Sequence, residues 1–181
     1  MMAKYKINNS VLELTVGDIT LEETEAIVNA ANRALSPGGG VSGAIHRAAG
    51  PGLWDEAKKH EGCGTGEARL TGGHGLRAKY VIHTVGPVYG GKDSDREKLR
   101  SSYYNSLDLA FKNDIKSISF PSISTGIFGY PIGEASDIAL NTIIDFLNDR
   151  QEIKLVKMVL FSESDYQAYK TSLEDILMNR S

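Results

Sequence analysis

The chain has 181 residues, of which 41% are hydrophobic and 24% are charged, and its formal net charge is -3. This length suits one domain, residues 1–181, that buries its own core without a metal or a disulfide. The slightly negative charge argues against a general polyanion binder, whose surface would be basic, and the lone Cys63 excludes an intrachain disulfide.

Short runs rich in β-branched residues alternate with longer runs whose apolar residues recur every three or four positions, the pattern of alternating strands and helices. In chain order we predict strands Tyr5–Ile7 and Val11–Val16, helix Ile19–Thr24, strand Ala26–Val28, helix Val41–Ala49, strand Lys79–Val85, helix Arg96–Lys112, strand Ser117–Ile123, helix Glu134–Leu147, strand Leu155–Phe161 and helix Ser164–Met178. Gly90–Asp95 is expected to be a mobile surface loop. Such alternation predicts an α/β fold, a three-layer α/β/α sandwich around a central mixed sheet.

Two loops are rich in glycine. The first, Pro37–Gly43 (PGGGVSG), leads into a helix, and its consecutive glycines let a ligand approach backbone N–H groups closely. The second, Ser124–Pro131 (STGIFGYP), follows a strand, where ligands bind in open α/β sheets. Facing one crevice, the two would clamp a pyrophosphate, although turn formation alone explains either set of glycines equally well. Neither loop fits a P-loop or a dinucleotide-binding fingerprint.

Five segments resemble, in order, the signature segments of macrodomains, and the MacroD-type branch is the most similar. They are GDIT (Gly17–Thr20), VNAANRALSPGGGVSGAIHRAAGP (Val28–Pro51), HTVGPVY (His83–Tyr89), FPSISTGIFGYP (Phe120–Pro131) and VLFSESDYQAY (Val159–Tyr169). Five ordered matches across nearly the whole chain are far more specific than an α/β pattern. The resemblance implies a macrodomain fold with a cleft for ADP-ribose.

The resemblance also implies which residues form that cleft. The expected substrate contacts are Asp18, Ile19, Asn32, Gly38, Gly39, Gly40, Val41, Ser124, Thr125, Gly126, Ile127, Phe128 and Phe161. The expected catalytic residues are Asn32, Gly39, Ser42 and Phe128.

Individual roles follow from the matched side chains. The resemblance implies that Asp18 accepts a hydrogen bond from the adenine amino group, which suits a carboxylate, and the same residue would cap a helix. Asn32 is expected beside the distal ribose, whereas Asn29 is expected to brace the loop. Phe128 would pack against the distal ribose and Phe161 against the adenine ring, although a place in the hydrophobic core is the alternative for both.

One position departs from the MacroD-type pattern. Catalytically competent members have an aspartate where this chain has Ser42. A carboxylate can help to activate a water, whereas a serine hydroxyl binds water without acting as a general base at neutral pH. The resemblance implies hydrolysis of mono-ADP-ribose on acidic side chains or of O-acetyl-ADP-ribose, and the departure keeps a non-catalytic reader of ADP-ribose as the alternative.

The expected partner is ADP-ribose or an ADP-ribosylated protein, with no cofactor. No metal site is expected, because the cysteine and the histidines lack zinc-ligand spacing. We predict a hydrogen-bonded structural role for His83 and surface positions for His60 and His74. Removal of ADP-ribose from nucleic acid is a weaker alternative, since the net charge is negative. No secretory signal or membrane-length apolar run is visible, and we expect a cytoplasmic monomer with no membrane partner.

Overall fold

The computed structural model describes the whole chain, Met1–Ser181, and contains seven strands and five α-helices. The strands are β1 (Met2–Ile7), β2 (Ser10–Val16), β3 (Ala26–Ala30), β4 (Ala68–Gly72), β5 (Tyr80–Thr84), β6 (Ser117–Phe120) and β7 (Leu155–Leu160). The helices are α1 (Gly40–Ala49), α2 (Gly52–Ala57), α3 (Asp93–Lys112), α4 (Ile132–Asp149) and α5 (Glu163–Arg180). No helix has the length and apolar character that crossing a membrane requires.

The strands form one sheet in the order β1-β2-β7-β6-β3-β5-β4. At its two edges β1 runs antiparallel to β2 and β4 antiparallel to β5, whereas the five central strands are parallel to one another. Helices α3, α4 and α5 cover one face, and α1 and α2 cover the other. The predicted three-layer α/β/α sandwich with a mixed sheet is therefore confirmed.

The central strands supply two hydrophobic cores, because successive side chains of a strand point to opposite faces. In β3, Val28 joins the larger core beneath α3, α4 and α5, whereas Ile27 joins the smaller core beneath α1 and α2. Ile82 and Val81 divide β5 in the same way. Since both faces are covered, β3 and β5 begin with three consecutive apolar residues, Ala26–Val28 and Tyr80–Ile82.

The N-terminus of α3 corrects one prediction. The helix begins at Asp93, so the expected mobile loop Gly90–Asp95 is wrong over its last three residues. The Asp95 carboxylate is buried and accepts hydrogen bonds from the N–H groups of Gly90 and Lys92, at 2.8 and 3.1 Å. These bonds fold the segment back onto the helix end.

Two predicted elements are clearly shorter than expected, and two observed elements were not predicted. The predicted helix Ile19–Thr24 is one 3-10 turn at Ile19–Leu21, and β6 ends at Phe120 because Pro121 has no N–H to extend the ladder. Helix α2 and edge strand β4 have six and five residues, too few for a clear periodicity.

His83 links three neighbouring strands. Its ring is fully buried, with Nδ1 3.1 Å from Asn29 Nδ2 and Nε2 2.9 Å from Thr71 Oγ1. Because the amide NH₂ group only donates, Nδ1 accepts and Nε2 carries the proton given to Thr71. Burial, with a smaller contribution from the nearby His46, lowers the pKa of His83 to about 3. The neutral ring is thus a structural, hydrogen-bonded part of the sheet, as predicted.

We predict that the free energy of unfolding decreases as the pH falls from about 6.5 towards 3, because the unfolded chain protonates His83 and the folded chain does not. This one group should contribute a slope of up to about 1.4 kcal/mol per pH unit. Urea unfolding between about pH 6.5 and 5, above the main range of carboxylate protonation, measures the slope. His83→Asn should reduce this slope, whereas the exposed His60→Asn should not; equal slopes in all three proteins would contradict this account.

Candidate functional site

The carboxyl ends of the five parallel strands share one edge of the sheet, where ligands bind in open α/β folds. β3 leads into the first glycine-rich loop, Pro37–Gly43, and β6 into the second, Ser124–Pro131. β2 and β7 end side by side, since Val16 pairs with Leu160. The topology therefore brings all the expected site residues to the same edge.

The glycines of the first loop serve different purposes. Gly40 has a φ of 56°, a left-handed conformation that favours glycine. Gly43 packs so closely on the carbonyl oxygen of Gly38 that a β-carbon would collide with it. Gly39 precedes α1, and a β-carbon there would meet nothing within 4 Å. Gly40 and Gly43 thus shape the loop, whereas Gly39 leaves space beside it.

Asn32 and Ser42 approach the same point of the first loop. A β-carbon on Gly38 would lie 3.6 Å from Asn32 Nδ2 and 3.9 Å from Ser42 Oγ. The half-buried Asn32 side chain is held by Ser36. Asn32 Oδ1 accepts a hydrogen bond from the Ser36 N–H at 3.0 Å, and Asn32 Nδ2 donates to the Ser36 carbonyl at 3.1 Å. Ser42 Oγ is buried and has no hydrogen-bond partner. Since an unpartnered buried hydroxyl is costly, Ser42 Oγ has hydrogen-bonding capacity that the protein itself does not use.

The second glycine-rich loop forms the opposite wall. It turns at Ser124, whose φ is 68°, and the Tyr130 N–H closes the turn by donating to the Ser124 carbonyl at 2.9 Å. The Tyr89 N–H donates to the Phe128 carbonyl at 2.9 Å, which ties the loop to the segment after β5. The Ile127 side chain is fully exposed. Phe128 is half-buried, lines the cleft and belongs to no hydrophobic core.

A cleft of about 320 Å³ lies between the two loops. It is lined by Ala30, Ala31, Gly39, Gly40, Val41, Gly86, Ser122, Ile123, Ser124, Gly126, Ile127 and Phe128. None of these residues is ionisable, so no lysine or arginine would neutralise a bound anion. The available donors are backbone N–H groups and the hydroxyl groups of Ser122 and Ser124. The N–H groups of the first turn of α1 lack intrahelical partners and lie at the positive end of the helix dipole. The cleft therefore suits a phosphate-containing ligand held by backbone groups.

Asp18, Ile19 and Phe161 lie where β2 and β7 end. Asp18 Oδ1 caps the 3-10 turn by accepting from the N–H and the hydroxyl of Thr20, at 2.9 and 2.7 Å, while Oδ2 makes no hydrogen bond. Ile19 is buried in the smaller core. Phe161 is 91% exposed, which excludes the core alternative and leaves its ring open to stacking.

Five residues that line the cleft were not among the expected site residues: Ala30, Ala31, Gly86, Ser122 and Ile123. They lie in or shortly after strands within the macrodomain-like segments. All of them except Ile123 have small side chains, and small residues at the ends of strands are the signal that could have identified them. A β-carbon on Gly86 would collide with Ser124 Oγ, so Gly86 allows the second loop to approach β5.

The expectation that Asn29 braces the first glycine-rich loop is wrong. Asn29 still lies within β3, so its amide reaches across to His83 on β5. Asn32, beyond the end of the strand, holds the loop through Ser36.

The other three histidines, His46, His60 and His74, have different surroundings. His46 follows Ser42 by one turn of α1; it is buried, its Nε2 has no partner, and burial lowers its pKa. His60 and His74 are exposed, as predicted, and bond the Leu70 carbonyl and the Glu56 carboxylate. No three metal-ligating side chains come together.

Known proteins match this architecture. The macro domain family model matches residues 28–139. A macro domain-containing protein of Caldanaerobacter subterraneus is 47% identical over 170 residues, which cover 91% of this chain and 97% of that protein. ADP-ribose glycohydrolase MACROD2 of Xenopus laevis is 48% identical over 178 residues, which cover 95% of this chain but only 43% of that longer protein.

Solved structures give the same result. A variant of the Oceanobacillus iheyensis macrodomain with ADP-ribose superposes with a TM-score of 0.95 at 46% identity, covering 98% of this chain and 100% of that one. The chain therefore belongs to the macrodomain family.

We predict that Gly86→Ala lowers the free energy of unfolding by about 1–3 kcal/mol, because the new methyl group would collide with Ser124 and Ile123. Gly126→Ala is the matched control: a β-carbon there meets nothing within 4 Å, and the change should stay below about 0.5 kcal/mol. Urea unfolding measures both values. Equal stability of the two variants would show that the contact with Ser124 imposes no constraint.

Proposed function

We propose that this chain binds ADP-ribose and hydrolyses its esters, namely mono-ADP-ribose on acidic protein side chains or O-acetyl-ADP-ribose. The meeting of Asn32 and Ser42 at Gly38, beside a cleft lined by no ionisable side chain, supports this function most directly. Its likeness to a MACROD2 glycohydrolase and to a macrodomain that holds ADP-ribose supports the same function. Residues 1–181 would act as one macrodomain.

The geometry of the sheet edge suggests how the ligand lies. Adenine would stack on Phe161 and donate its amino group to the free oxygen of Asp18, and the distal ribose would lie against Asn32 and Phe128. β2 and β3 are three strand spacings apart, or about 14 Å. A mononucleotide is too short to contact both ends, whereas a diphosphate between two sugars bridges them. That diphosphate would lie in the cleft, against the N–H groups of both glycine-rich loops.

Hydrolysis would use a water held by the unpartnered Ser42 hydroxyl. For a modified acidic side chain, the water oxygen would attack the anomeric carbon of the distal ribose as the bond to the carboxylate breaks. The carboxylate leaves without needing a proton, and the water proton would pass to a phosphate oxygen of the ligand. Asn32 and Phe128 would orient the ribose, and loop N–H groups would stabilise charge that develops during an attack on an ester carbonyl.

A non-catalytic reader of ADP-ribosylated proteins is the second candidate, and one observation favours it. No residue that lines the cleft is ionisable, so none can act as a general base. Loss of a positioned base typically costs about 100- to 10,000-fold in rate. A hydrolase with Ser42 at this position would therefore be slow, and binding could be its main activity.

We predict slow single-turnover release of ADP-ribose from a glutamate-linked substrate by the wild type, a lower rate for Asn32→Ala, and a rate higher by about tenfold or more for Ser42→Asp, which supplies a base. Ser94→Asp, on the exposed first turn of α3, adds the same charge away from the cleft and should not change the rate. Equal rates for the wild type and Asn32→Ala would contradict the mechanism. No release above background, together with tight binding of ADP-ribose, would establish the reader.

We predict that Asp18→Ala weakens ADP-ribose binding by about 1.5–3 kcal/mol, the usual contribution of a hydrogen bond to a charged group. Calorimetry measures the affinity, and circular dichroism checks the fold. Asp93→Ala removes an exposed carboxylate from α3 and should leave affinity unchanged. A loss of less than twofold in the folded Asp18→Ala protein would reduce Asp18 to a cap of its 3-10 turn.

A further inference from the structure

The tip of the second glycine-rich loop, which closes one side of the cleft, is open to solvent. Ile127 is fully exposed, Gly126 has no side chain, and Ser124 holds a left-handed conformation that is unusual for a residue with a β-carbon. A backbone in this state keeps one shape only where neighbouring groups hold it. Apart from the Tyr89 N–H bonded to the Phe128 carbonyl, those groups lie on the side of α3 and α5.

Tyr103 of α3 holds the segment that enters this loop. Its side chain is fully buried, and its hydroxyl accepts a hydrogen bond from the Ile123 N–H at 3.0 Å while donating to the Pro121 carbonyl at 3.3 Å. One hydroxyl thus binds the backbone on both sides of Ser122. The positions of the two flanking peptide groups are fixed against the helix.

Tyr169 of α5 holds the residue between them. Its hydroxyl is fully buried and lies 2.8 Å from Ser122 Oγ, which in turn lies 2.8 Å from Thr125 Oγ1. Thr125 also lies 3.0 Å from the Ser122 carbonyl. Because Ser122 itself lines the cleft, this chain of hydroxyl groups connects helix α5 directly to the wall of the site.

The partners of the two hydroxyl groups distinguish this arrangement from ordinary core packing. A phenylalanine would fill nearly the same volume and keep the same apolar contacts at either position. A buried hydroxyl costs free energy unless it is bonded. Apart from the hydrogen bond between the Tyr103 and Tyr169 hydroxyls themselves, their hydrogen bonds go to positions 121–123. We infer that Tyr103 and Tyr169 are positioning residues that set the second glycine-rich loop for a ligand's diphosphate and distal ribose, an inference that rests on the proposed binding of ADP-ribose.

Selectivity between ligands tests this role. Tyr169→Phe, Tyr103→Phe and Ser122→Ala should each raise the Kd for ADP-ribose about fivefold or more, the effect of losing one typical hydrogen bond. The Kd for AMP, which lacks the β-phosphate and the distal ribose, should change less than twofold. A purely structural role would lower the unfolding midpoint without changing the ratio of the two affinities.

Matched controls are present on the same helices. Tyr166→Phe on α5 and Tyr104→Phe on α3 remove hydroxyl groups that have no hydrogen bond to the loop, and both should bind ADP-ribose as the wild type does. The double variant Tyr169→Phe/Ser122→Ala should bind no more weakly than the weaker of its single variants, because both changes break the same bond.

The other possible outcomes contradict either the positioning role alone or the proposed function as well. If the wild type binds ADP-ribose and the variants bind it as tightly, or lose ADP-ribose and AMP equally, the positioning role is wrong and the proposed function stands. If the wild type does not bind ADP-ribose, both are wrong. Ser122→Ala changes a half-buried residue, so an unchanged affinity for ADP-ribose in this variant overturns the positioning role of Tyr169 even if the tyrosine variants fail to fold.

Discussion

Two contacts that exclude a β-carbon define the shape of the cleft. Gly43 lies on the carbonyl of Gly38, and Gly86 lies against the Ser124 side chain. The first contact folds the glycine-rich loop tightly onto α1, and the second draws the loop after β6 towards the end of β5. Because protein interiors are close-packed, a single added methyl group at either place would displace a wall. The space that remains between the walls is the ligand cleft.

Backbone groups, rather than charged side chains, would then provide the recognition of a diphosphate. The lining has no ionisable residue, and its donors are the N–H groups at the start of α1 and along the second loop together with the hydroxyls of Ser122 and Ser124. The backbone donors are fixed by the fold and cannot rotate to suit another ligand, so the shape of the loops decides which ligands fit. The same absence of a charged side chain limits the chemistry, because it leaves the lining without a general base.

The site is supported from both faces of the sheet. Beneath the second loop, Tyr103 and Tyr169 reach from the larger core. On the other face, the Lys157 ammonium lies 2.9 Å from the Glu22 carboxylate, which also accepts from Ser119 Oγ at 3.1 Å. This second network holds the segment just after Asp18 against the sheet. The segment that follows β2 and the second glycine-rich loop thus have separate supports, one on each face of the sheet.

Local patterns made the α/β alternation, the two glycine-rich loops and the role of His83 predictable, because apolar periodicity and consecutive glycines act within a short stretch of chain. The tertiary structure decided what depends on distant neighbours. Gly86 matters only because Ser124 lies against it, and Tyr169 only because Ser122 lies above it. Asn29 and Asn32 look alike in sequence, but one remains inside β3 and the other lies beyond its end. Such roles arise from contacts between segments far apart in the chain, and a local pattern carries no information about which segments will meet.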